Sequence, residues 1–111
     1  MTKMDSVVYA KKMLYKFQSK NSANCMMLED LTKRIFQTIG KNLETKGILT
    51  VDELPHFINL LETAIEQDVI ARSKMSKDQL ATSDRLGQRA FPFLTLLKSA
   101  NKYQDHIVWG V

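Results

Sequence analysis

The spacing of apolar residues changes period along this chain, and that change restricts the fold more than any other feature. In Met13-Leu14-Tyr15-Lys16-Phe17-Gln18, residues Met13, Tyr15 and Phe17 fall on one side and Leu14, Lys16 and Gln18 on the other. A period of two is that of a half-buried strand. From Leu28 to Ile39 the apolar positions Leu28, Leu31, Ile35, Phe36 and Ile39 recur at three and four, with Glu29, Asp30, Lys33, Arg34 and Gln37 between them. That is the period of an amphipathic helix. A chain that does both has to combine sheet and helix in one core.

Local signals place the boundaries. Ser19-Lys20-Asn21-Ser22 is rich in turn formers, so Cys25-Met26-Met27 can return as the second strand of a hairpin; because Met favours helices, the same segment can instead open the first helix. The acids in the first turn of that helix and Gly40 after its last apolar position suit the helix dipole and a left-handed C-cap. Lys41 to Gly47 reads as a connecting loop. Thr50 with Glu53 three residues on forms a capping box, Asp52 lies in the same turn, and Pro55 sits near the start, where its missing N–H costs least. The stripe of this second helix is Leu54, Phe57, Ile58, Leu61 and Ile65, extending toward Val69 and ending near Ala71.

Residues 72–83 are polar and without period, and predict a mobile connection. Ser83 or Asp84 can then cap a third helix with the stripe Leu86, Ala90, Phe93, Leu94, Leu97 and Ala100. Pro92 interrupts that stripe, removing one backbone bond and crowding the preceding turn, so a kink or break is expected near Gln88, with Gly87 weakening the same turn. Ile107-Val108-Trp109 predicts a closing strand, for which Met13 to Gln18 is the natural partner. The expected architecture is α+β: a small antiparallel sheet of two or three strands, with the N- and C-terminal strands paired and three helices packed on one face. It occupies residues 13–111, preceded by an N-terminal extension over 1–12.

A chain of 111 residues, 44% apolar, has room for one core and one domain. Of its net charge of +4, Lys3, Lys11 and Lys12 against Asp5 place +2 before Met13. The mild remaining excess is ordinary for solubility, whereas a nucleic-acid footprint clusters Lys and Arg on one face. Cys25 is the only cysteine, so neither an internal disulfide nor a thiolate cluster for zinc can form, and a reducing compartment fits. Val7-Val8-Tyr9-Ala10 is too short for the apolar stretch of a signal peptide, and no run approaches the ~20 apolar residues of a membrane span. The expected address is the cytoplasm, without a membrane partner.

Candidate chemistry is sparse. Cys25 with His56 or His106 is conceivable as a nucleophile and base, but no local signature accompanies them, and a free cysteine ordinarily serves as a small core residue. The chain lacks H-E-x-x-H, G-x-G-x-x-G and a phosphate-loop lysine, so neither metal nor cofactor is expected. Glu62, Glu66 and Asp68 read as a solvated helix face rather than a carboxylate site. Arg85 and Arg89, four apart, could clamp a carboxylate or phosphate, or else form ion pairs with Asp84 or the acids of the second helix. Trp109 reads as core packing, with an exposed interface anchor as its alternative.

Four motifs also carry a resemblance. Tyr15-Lys16-Phe17-Gln18-Ser19-Lys20, Gly47-Ile48-Leu49-Thr50 with Glu53-Leu54-Pro55, Gln88-Arg89-Ala90-Phe91-Pro92, and Val108-Trp109-Gly110-Val111 occur in the order and spacing of a family of short bacterial proteins, the domain of unknown function numbered eighteen-forty. The chain resembles that family from about Met13 to Val111. Members begin near Met13, which implies that residues 1–12 are an addition, and Gly87 stands where the resemblance leads one to expect a larger residue. The family implies a domain without an assigned activity and supplies no catalytic residue.

Two functions follow as expectations. One is a non-catalytic protein-binding or assembly module, self-association included, working through a sheet edge or the irregular third helix. The other is a nucleic-acid or anionic-ligand binder using Lys12, Lys16 and Lys20, which alternation places on one face of the first strand, with Lys11 on the other.

Overall fold

The alternation that opens the described chain forms a strand, and the turn formers behind it close a hairpin. The computed structural model describes residues 13–83 and 85–111. In chain order these form β1 (Leu14–Ser19), β2 (Ser22–Leu28), α1 (Glu29–Ile39), β3 (Lys46–Leu49), a 3-10 turn (Val51–Glu53), α2 (Leu54–Ser73), α3 (Lys77–Thr82), α4 (Leu86–Tyr103) and β4 (Ile107–Gly110). The expected extension over 1–12 lies outside the described residues.

One antiparallel sheet runs in the order β2-β1-β4-β3. The first and last strands therefore pair with each other, Phe17 opposite Trp109 and Ser19 opposite Ile107. Among the described residues the sheet has four strands, one more than the expected maximum of three, because Lys46–Leu49 adds to β4 with Gly47 opposite Trp109. The segment read as a loop up to Gly47 is thus partly a strand. Its glycine is required by its neighbour: a Cβ on Gly47 would overlap the Trp109 ring.

Tyr15, Phe17, Cys25, Met27, Leu49, Ile107 and Trp109 point from the sheet into one buried layer. Over them lie Ile35, Phe36 and Ile39 of α1, Leu54, Phe57 and Leu61 of α2, and Ala90, Phe93, Leu94, Leu97 and Ala100 of α4. At the centre the Phe17 ring meets Phe93 edge-on at 4.9 Å, and Phe36 meets Trp109 edge-on at 5.1 Å. Burying each such ring contributes roughly 1.5–3 kcal/mol from area, and an edge-to-face pair ~0.5–1.5 kcal/mol more.

Helix ends follow their local chemistry. Gly40 caps α1 in the left-handed conformation at φ 71°, as expected. Ahead of α2, Glu53 Oε1 accepts from the Thr50 backbone N–H and hydroxyl, both at 3.0 Å, while Lys41 Nζ lies 3.0 Å from Glu53 Oε2. The Thr50 N–H bond, with Lys41 in support, holds the Glu53 carboxyl below its ordinary range, against the opposing effect of burial. His106 contributes across the fold: its Nδ1 accepts the Val51 N–H at 3.0 Å, taking one of the donors that the 3-10 turn leaves unpaired.

Two expectations about the helices are corrected. The connection over 72–83 is mostly helical, since α2 runs on to Ser73 and α3 follows, its N-terminus closed by a second capping box in which the Ser76 N–H donates to Gln79 Oε1 and the Gln79 N–H to Ser76 Oγ. Among the described residues four helices form instead of three. Of the kink or break expected near Gln88, the break does not occur: α4 is continuous from Leu86 to Tyr103 with Pro92 inside it. Both Pro92 and Gln88 are exposed, so the Gln88 carbonyl that loses its intrahelical donor can be hydrated, while buried Ala90, Phe93 and Leu94 hold the turn in place. Among the described residues no helix is long and apolar enough to cross a membrane.

Candidate interaction surface

The alternation that sends one set of strand residues into the core sends the other set outward. Leu14, Lys16 and Gln18 of β1, Asn24, Met26 and Leu28 of β2, Lys46 and Ile48 of β3, and Val108 of β4 are all exposed. None of the described helices covers them. Met26 is 61% exposed, Leu28 50% and Val108 47%, fractions at which a large apolar side chain is substantially wetted.

Register arranges this face in three rows. Leu28 lies opposite Leu14 in the first; Met26, Lys16, Gly110 and Lys46 run across the second; Gln18, Val108 and Ile48 form the third. Two aliphatic clusters therefore flank a row in which two lysines stand either side of a glycine. Gly110 has nothing within 4 Å of where a Cβ would be, so the middle of the face is a hollow. The strand residues described on this face include no acid and no aromatic ring.

The residues singled out in the sequence distribute differently. Lys16 is in the central row; Lys20 is exposed in the hairpin turn; Lys12 lies outside the described residues. The lysine that the fold brings level with Lys16 is Lys46, on a strand that sequence reasoning missed. Its signal was the alternation of Lys46 and Ile48 against Gly47 and Leu49, too short to stand out without its pairing partner.

Arg85 is the N-cap of α4, in a left-handed conformation at φ 52°, and its carbonyl accepts the Arg89 N–H at 3.1 Å one helical turn on. Arg89 pairs with Asp30 of α1 at 3.7 Å, not with the acids of α2; both groups are largely exposed, a geometry worth ~0–1 kcal/mol. Asp84 lies outside the described residues. Trp109 is 6% exposed, a core residue whose Nε1 donates to the Glu44 carbonyl at 2.8 Å.

Cys25 is buried on the inner face, where burial pushes its thiol up, away from a reactive thiolate. His106 is engaged with Val51, and His56 is exposed beside Phe57. The acids of α2 go to separate tasks: Glu62 pairs with Lys98 at 2.6 Å, and Asp68 accepts the Gly87 N–H at 3.2 Å. Gly87 permits that approach, since a Cβ there would press on Asp68 and Ile65 at 3.3 Å. Among the described residues no three His, Cys, Asp or Glu side chains gather as metal ligands.

Comparison with curated proteins and with solved structures gives no significant match. A family model does match, described as a domain of unknown function (DUF1840), over residues 13–109. With that match spanning almost all of the described fold, from before β1 into β4, the chain belongs to the DUF1840 family.

Proposed function

We propose that this domain is a non-catalytic protein-binding module whose contact surface is the open face of its sheet. The observation that carries the reading is the set of aliphatic side chains Leu14, Met26, Leu28, Ile48 and Val108 standing exposed on one flat face, opposite a face closed by helices. Large aliphatic side chains gathered on one face mark interaction sites more often than scattered single exposed residues do.

The alternative, an anionic-ligand or nucleic-acid surface, draws on Lys16 and Lys46 facing outward without a neighbouring acid on the strands. Sequence-tolerant nucleic-acid binding, however, relies on aromatic platforms for bases, and the outward strand residues that are described include no aromatic ring. The protein reading is preferred on that ground.

A photo-crosslinking residue placed at Met26 or Val108 in living cells tests it, with Glu66 on the exposed side of α2 as the control position. Protein adducts specific to the sheet positions are the expected result. Adducts to nucleic acid, or none beyond those formed at Glu66, would overturn the reading.

A further inference from the structure

Resting on the reading of the open face as a protein-binding surface, we propose that its partner is an acidic amphipathic helix that seats an apolar side chain over Gly110, between Lys16 and Lys46.

Size narrows the occupant first. Four strands at their usual spacing and three outward rows make a face of roughly 300–400 Å², well short of the ~800 Å² that each partner contributes to a standard interface. A second copy of the domain laid on this face would leave most of such an interface unmade, whereas a single helix of about three turns fits it. Helices already cover the opposite face of the same sheet.

Shape and charge narrow it further. Lys16 and Lys46 both lie opposite Gly110, one on each neighbouring strand, so they stand two strand spacings apart, roughly 9–10 Å. Between them the glycine leaves open space where any other residue would present a side chain. A protruding apolar residue of the partner can rest there against the lysine stems, which bury along apolar surface while their ammonium groups remain free. Asp or Glu residues three or four positions to either side of that anchor lie about 5–6 Å along the helix, in reach of the two ammonium groups. Leu14 with Leu28, and Ile48 with Val108, then receive the apolar positions one turn before and after. Positive charge without a described acid on the strands disfavours a basic partner helix as strongly as it favours an acidic one.

The test is a selection of displayed random 18-residue peptides against the full chain, followed by affinity measurement at low and moderate salt. Three variants are compared: Val108→Lys, the pair Lys16→Glu with Lys46→Glu, and Gly110→Val. All three alter exposed positions or open space, and thermal melting confirms that each is folded. The proposal expects recovered peptides with apolar residues at helical spacing and flanking Asp or Glu, which become helical on binding. Their affinity falls about tenfold with the lysine pair reversed, and comparably with Gly110→Val although that variant melts no lower. Peptides that depend on Val108 but are extended, neutral or indifferent to the lysine reversal would overturn the acidic helix and leave the protein-binding surface standing. Peptides indifferent to Val108→Lys, or no binders at all, would overturn both.

Discussion

The two halves of α2 are one continuous helix held in different ways. From Leu54 to Ile65 it lies against the core, with Leu54, Phe57 and Leu61 buried. From Glu66 to Ser73 no residue is buried, and Val69, the continuation of the same stripe, is 57% exposed. Periodicity alone does not distinguish these halves, because a helical stripe reports only that side chains share a face. Burial requires something opposite. Leu54, Phe57 and Leu61 share the core cluster with α1 and α4, whereas the distal half meets the start of α4 at Asp68, which accepts the Gly87 N–H; beyond it the chain passes through α3, a six-residue helix without a buried residue whose definition comes from its Ser76–Gln79 capping box.

The largest effect expected from this contrast is in a pair of truncations on α2. Leu61→Ala should cost about 2–5 kcal/mol, the range for emptying a buried leucine site, whereas Val69→Ala should stay within about 0.5 kcal/mol. Urea unfolding of both variants measures the difference, and equal losses would mean that the distal half is packed as firmly as the proximal one.

Gly47→Ala sharpens the same comparison from the sheet. A methyl group there has to displace the Trp109 ring, which is fixed by Phe17, Phe36 and the Glu44 carbonyl, so a loss of ~1–3 kcal/mol is expected. Gly87→Ala, at the edge of the distal region, places a methyl group 3.3 Å from Asp68 and Ile65, a tight contact but well short of the overlap at Gly47, and should lose less in the same unfolding measurement.

The smallest expected effects separate the two capping boxes. Thr50→Ala should lower global stability by ~1 kcal/mol, while Ser76→Ala should chiefly reduce amide protection from Lys77 to Thr82, seen by hydrogen exchange. The Thr50 box also carries a pH signature. Because the folded Glu53 pKa is lowered, its contribution is complete above the ordinary carboxylate value and is lost as pH falls through the depressed one. Glu53→Gln should therefore flatten the acid limb of the stability profile, and an unchanged limb would show that other carboxyls govern it.

Much of this fold was legible in residues whose meaning is local: the alternation of β1, the stripe of α1 with Gly40 behind it, and Thr50 with Glu53. The pairing of β1 with β4 was also legible, since a short terminal strand needs a partner and one other clear strand was available. What stayed hidden depended on distance. Lys46–Leu49 becomes a strand because β4 places Trp109 over Gly47, and four residues with a glycine do not announce that. The Ser76–Gln79 box, by contrast, stands in the sequence as S-x-x-Q, but the polar residues around it supply no apolar stripe for a cap to introduce. Likewise Lys16 was visible as an outward residue, but its relation to Gly110 and Lys46 exists only after three strands have met.

That meeting governs how the molecule can assemble. β1 and β4 are the two central strands, yet they lie at opposite ends of the described chain, and among the described residues β3 pairs with β4 alone. During synthesis the β1–β2 hairpin and the helices can begin to organise, but the sheet stays divided until its last strand has left the ribosome. Contacts of such long sequence separation slow folding, because a large loop must close before they repay its entropy. For as long as that takes, the nascent chain exposes the pairing edges of β1 and β3, which makes the interval before β4 arrives the time when a chaperone has most to protect.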